Sequence, residues 1–132
     1  MAHLITFSTS RFDTAAERPN PINPIAGEAL LHWLRDGLAA SGYAVTAPEP
    51  EDWGWYVEAQ GPGGAYLVGA SGEPAAPGVE IEWVVQIQKH RRLAEKLFGK
   101  NRLLPDDALT ALAHRLAVRQ PDFMRVELSE EA

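Results

Sequence analysis

Nine consecutive residues, Pro48-Glu49-Pro50-Glu51-Asp52-Trp53-Gly54-Trp55-Tyr56, carry three acids and three aromatic rings. Trp and Tyr bury large areas while keeping a polar atom, which enriches them at binding hot spots. Acids around them favour a cationic partner and steer its approach. The two-residue period of a strand puts Trp53 and Trp55 on one face, which we read as the core face. Tyr56 and the acids then stay outside. The partner-binding set expected from this stretch is Glu49, Glu51, Asp52 and Tyr56, extended by Glu58, Glu80 and Glu82.

A second charged stretch follows. Lys89-His90-Arg91-Arg92, with Lys96, Lys100 and Arg102, would array cations along one side of a helix and grip phosphates. A solvated face, or ion pairs with Glu80 and Glu82, is the plainer reading of these residues.

Catalytic signatures are missing. The four histidines, His3, His32, His90 and His114, lack zinc-motif spacing. Ser8, Ser10 and Ser71 sit in no Gly-x-Ser-x-Gly elbow, and they read as turn serines. Gly61 to Gly64 open no helix and precede no Lys-Ser/Thr, so they are turn chemistry rather than a phosphate loop. We expect no cofactor and no metal. Arg18-Pro19-Asn20-Pro21-Ile22-Asn23-Pro24 forbids a helix and favours extended backbone. It either presents Arg18 and Asn20 to a partner or stiffens the path into the next helix.

The whole chain bounds these readings. Its 132 residues, 45% apolar and 23% charged, suit one compact domain over 1–132. Cysteine is absent, which excludes disulfides and thiolate chemistry. No run approaches the roughly 18 apolar residues that span a bilayer. The first residues lack a secretory pattern, so a cytoplasmic location and no membrane contact are expected. The net charge of −6 argues against general phosphate binding. The charge is also bipolar: residues 36–88 hold eight acids and no Lys or Arg, and residues 89–102 hold six bases and one acid.

The expected elements run β-α-β-β-β-β-α-α-β. The first strand covers Leu4 to Phe7. A helix is capped by Asn23, starts at Pro24 and buries Leu30, Trp33, Leu34 and Leu38. Tyr43 to Thr46 is a short strand broken by Pro48 and Pro50. Trp53–Gln60 and Ala65–Ala70 form a hairpin. Val79–Gln88 is a one-sided strand with Ile81, Trp83, Val85 and Ile87 inward. A short helix covers Lys89 to Phe98. Another opens at Pro105-Asp106-Asp107 and buries Leu109, Leu112, Ala113 and Leu116. The last strand puts Met124, Val126 and Leu128 on one face, before a frayed tail over 129–132. The fold class is α+β, an antiparallel or mixed sheet of about five to six strands with helices packed on one face.

The leading functional expectation is a non-catalytic, protein-binding module, an accessory, inhibitory or immunity-type partner of another macromolecule. The alternatives are a small hydrolase-like enzyme using His and carboxylates, and a nucleic-acid binder through Lys89, His90, Arg91, Arg92 and Lys96. An apolar face beside the last strand would favour a homodimer.

Overall fold

Alternation of side chains along Ile81–Lys89 builds the central strand β6, which turns Ile81, Trp83, Val85 and Ile87 into the core. The computed structural model describes residues 2–90, 95, 99 and 102–131. Among these, seven strands form one antiparallel sheet in the order β2-β4-β5-β6-β1-β7, with β3 also pairing β4. They are β1 (Ala2–Thr9), β2 (Ala44–Val45), β3 (Glu49–Glu51), β4 (Gly54–Gly61), β5 (Gly64–Ser71), β6 and β7 (Met124–Glu131). Two α-helices are described, α1 (Glu28–Ala40) and α2 (Ala108–Val118). α1 packs on β2, β4 and β5, and α2 lies against α1 and β7, so both cover one face. The protein is α+β, as the pattern of periods predicts.

The sheet has more strands than expected because the Pro48–Pro50 break is itself paired. Pro50 lies opposite Trp55 on β3, an edge position where its missing N–H costs no ladder bond. β6 runs on through Lys89, where a helix was expected to begin. Residues 91–94 and 96–98 of that helix, including Arg91, Arg92 and Lys96, lie outside the described residues.

α1 starts four residues after Pro24, and Asn23 does not cap it. The cap residue is Gly27, and the carboxylate of Glu17 fills the role from ten residues upstream. Its Oε1 accepts from Gly27 N at 3.0 Å and Glu28 N at 3.1 Å, and its Oε2 accepts from Ala29 N at 3.1 Å. A carboxylate there meets both the unpaired amides and the positive end of the helix dipole. Glu17→Ala should lower stability by about 1–2 kcal/mol in urea unfolding, in the range of lost N-caps.

The buried side of α1 is Leu30, Leu31, Leu34 and Leu38. Trp33 is only half-buried. It meets Phe12 and Phe123 at ring-centroid distances of 6.2 and 5.0 Å. Phe123 stacks on Phe7 at 4.3 Å. Glu28, in the first turn, is buried and pairs with the guanidinium of Arg18. α2 buries Leu109, Thr110, Leu112, Ala113 and Ala117.

β7 departs from simple alternation. Ser8 faces Met124 while Thr6 faces Glu127, so Arg125 and Val126 together oppose Phe7. Arg125 has φ 55° within this bulge. Met124 is therefore on the outer face and Leu128, opposite Ile5, on the inner one. The ladder continues through Glu131, so residues 129–131 are paired strand rather than a frayed tail. As a sheet edge, β7 carries a bulge and the acids Glu127, Glu130 and Glu131, features that discourage edge-to-edge pairing.

Candidate functional site

The sheet face opposite the helices is open to solvent, with no described element over it. Cross-strand register places its residues in rows. One row runs Glu49, Tyr56, Gly69, Gln86, Leu4 and Ser129. The next runs Glu58, Leu67 and Gln88. On the other side, Ser71 faces Val84, and Val84 faces Thr6. Leu4, Tyr56, Leu67 and Val84 are half-buried and form an apolar centre.

The acids lie around this centre. Glu49 and Glu51 sit on β3 opposite Tyr56 and Gly54, which puts both on the open face. Asp52 is exposed in the following turn. Glu58 and Glu82 project from β4 and β6 on the same side. The carboxylates of Glu49, Glu51, Asp52 and Glu82, and the Tyr56 hydroxyl, have no partner among the described residues. No Lys or Arg occupies a register-paired position of this face among the described residues, and Arg125, in the β7 bulge, is engaged by Glu80. Glu80 precedes β6 and differs from these acids in having a partner: its Oε1 accepts from Arg125 Nη2 at 3.0 Å.

Trp53 joins the face against expectation. Trp55 is fully buried and donates its indole N–H to Ile25 O at 3.2 Å, but Trp53 lies on the other side of the sheet. The cause is Gly54, with φ 147°, which breaks the alternation between turn and strand. A Cβ on Gly54 would stand 2.4 Å from Ala70 O, so only glycine fits. The Trp53 ring then lies on Gly69, where a Cβ would stand 2.4 Å from two ring atoms. The glycines next to Trp53 in sequence and beneath it in the sheet were the available signal.

The turn is fixed from below by the proline–asparagine segment. Asn20 Nδ2 donates to Glu51 O and Gly54 O at 3.0 and 2.9 Å. Its Oδ1 accepts from Ile22 N and Asn23 N at 2.9 and 3.2 Å. Asn23 Nδ2 donates to Asp52 O at 2.7 Å. Arg18 pairs with Glu28, donates to Pro48 O at 3.1 Å and lies over the Trp55 ring at 5.1 Å. This segment is a strut, and its polar groups are used inside the molecule.

The basic stretch divides. Lys89 Nζ lies 5.7 Å from the Tyr66 ring, towards the helix side. His90 Nε2 stands 3.9 Å from Glu58 Oε1 beside a cavity of about 510 Å³ lined also by Thr46, Gln60 and Ala65. His90 and Glu58 are each about half exposed, so the contact is a solvated one of little strength. His3, by contrast, is buried, with Nδ1 2.7 Å from Thr110 Oγ1 and Nε2 3.6 Å from Glu130. It ties β1 to α2 and β7. The described residues contain no group of three or more His, Asp or Glu placed to hold a metal ion. No described helix is long and apolar enough to cross a membrane.

Compared with protein-family models, curated proteins and solved structures, the chain matches none.

Proposed function

We propose that this protein is a non-catalytic binding module whose open sheet face holds a basic surface of another protein. The observation that carries this reading is the make-up of that face. It has an apolar centre with Trp53, Tyr56, Leu67 and Val84, a rim of carboxylates of which, among the described residues, only Glu58 meets a base, the half-exposed His90, and no Lys or Arg at its described paired positions. Interfaces of this kind combine aromatic anchors with a polar rim. The rim attracts a cationic partner and repels nucleic-acid phosphate, so an accessory, inhibitory or immunity-type role fits better than nucleic-acid binding. The acids that the sequence singled out, Glu49, Glu51, Asp52, Glu58 and Glu82, supply the rim.

The test is capture from the native host lysate with tagged protein, followed by calorimetry with the purified partner. The comparison variant combines Tyr56→Ala, Glu51→Lys and Asp52→Lys. We expect one stoichiometric partner with a basic surface, whose affinity falls on the order of 100-fold in the variant, as for removal of an aromatic hot spot with its charges. Affinity should also fall as salt is raised. Equal affinity for the wild type and the variant would sink the reading.

A further inference from the structure

The turn that carries Trp53 borders a cavity of about 430 Å³ at one corner of the open face. Its walls combine rigid, apolar and acidic residues. Pro24 and Pro74 are rigid, and Val84 and the Trp53 ring are apolar. Glu73 and Glu82 also line it, both exposed and both without a partner among the described residues. No Lys, Arg or His is among the described residues that line it. A cavity with an indole wall, two unpaired carboxylates and no base is electrostatically incomplete.

We propose that this cavity is the anchor site for an arginine side chain of the partner. The proposal rests on the binding reading above and deepens it. A guanidinium is planar and weakly hydrated, stacks on an aromatic ring and presents a fork of N–H donors to carboxylates. An ammonium is a compact, strongly hydrated point charge and uses the ring and the apolar walls less well. The indole is held in place before any ligand arrives. Gly69 admits the ring, and Asn20 and Asn23 fix the turn from below. An arginine entering here therefore orders little that is not already ordered, which favours affinity.

The experiment titrates the full chain with N-acetyl-arginine amide and follows the indole N–H resonance of Trp53, assigned with Trp53→Phe. N-acetyl-lysine amide and the neutral isostere N-acetyl-citrulline amide are the comparison probes. We expect a saturable shift of the Trp53 resonance with the arginine probe. It should be about fivefold weaker with lysine, in keeping with the lost stacking and fork geometry. Citrulline should give none. Glu73→Gln with Glu82→Gln, which keeps volume and removes charge, should weaken the arginine response at least about fivefold. An absent shift, an equal response to citrulline, or an unchanged response in the glutamine variant would overturn the proposal. The same glutamine variant, assayed with the captured partner, separates the two levels. Partner affinity unchanged by it but lost with the Tyr56, Glu51 and Asp52 changes leaves the binding face standing and removes the anchor. Partner affinity unchanged by both sets removes the face as well.

Discussion

Asp107→Ala is expected to lower the unfolding free energy by about 3 kcal/mol and the melting temperature by roughly 10 °C, the sum of a lost helix cap and a stranded buried hydroxyl. Asp107 is buried, and both its oxygens are committed. Oδ2 accepts from Leu109 N and Thr110 N at 3.0 and 3.1 Å, which caps α2. Oδ1 accepts from the Tyr66 hydroxyl at 2.6 Å, which ties α2 to β5. Alanine removes all three bonds and leaves the Tyr66 hydroxyl in the core without an acceptor. Tyr66→Phe removes that hydroxyl, so the double variant should be more stable than the sum of the single losses predicts. Additivity within about 0.5 kcal/mol would show that the two groups do not share an energetic unit.

The same unit sets an alkaline limit. Burial first, and then the hydrogen bond and charge of Asp107, push the Tyr66 hydroxyl well above the usual tyrosine range. Burial and Asp107 also raise Tyr43, whose hydroxyl donates to Pro62 O at 2.7 Å. A folded-state value above the unfolded one means that the unfolded chain loses its proton first as pH rises. Stability is therefore full below about pH 10 and falls above it, by up to about 1.4 kcal/mol per pH unit for each such tyrosine. Urea midpoints measured from pH 8 to pH 11 should show this decline, and Tyr66→Phe should make it shallower.

Local periods and turn residues carried most of the fold into the sequence. The alternation of Ile81, Trp83, Val85 and Ile87 marks β6, and the Gly61–Gly64 turn marks the β4–β5 hairpin. Asp107 is legible as a cap because it sits directly before the apolar stripe of α2. The misses share a cause: in each, a non-local contact decided the outcome. Glu17 caps α1 from ten residues away, so the nearer Asn23 was the wrong choice and the helix began too early. Pro50 reads as a breaker in isolation but is harmless on an edge strand. The bulge at Arg125 shifts Met124 and Leu128 to opposite faces, and nothing in that short run announces it. For the site, the sides of Glu58 and Glu82 were legible because alternation along β4 and β6 assigns them, whereas Glu49 and Glu51 reach the open face through β3, which the prolines hid. Trp53 was not legible either, because its position depends on Gly54 and on the bare backbone of Gly69 one strand away.

That dependence makes the strut under Trp53 a functional part of the molecule, and Asn20→Ala should expose it. One side chain there makes four hydrogen bonds, two to the carbonyls that flank the Trp53 turn and two to its own loop. At about 0.5–1.5 kcal/mol net for each, discounted for partial exposure, their loss should cost about 2–3 kcal/mol. Asn23 still holds Asp52 O, so the turn should loosen rather than detach. Asn20 lies beneath the turn and outside the lining of the cavity, so its effect on the arginine probe passes through the turn it holds, which carries Trp53. The arginine probe should accordingly bind Asn20→Ala at least about threefold more weakly, since an anchor ordered only on binding bears the cost of its own ordering. Asn20→Asp keeps the acceptor for Ile22 and Asn23 and loses the two donors to the turn. It should weaken the probe about as much as alanine does, while retaining part of the stability. If the probe bound both variants as tightly as wild type at a temperature where all are folded, the strut would serve stability alone. Trp53 would then be positioned by Gly69 without help from below.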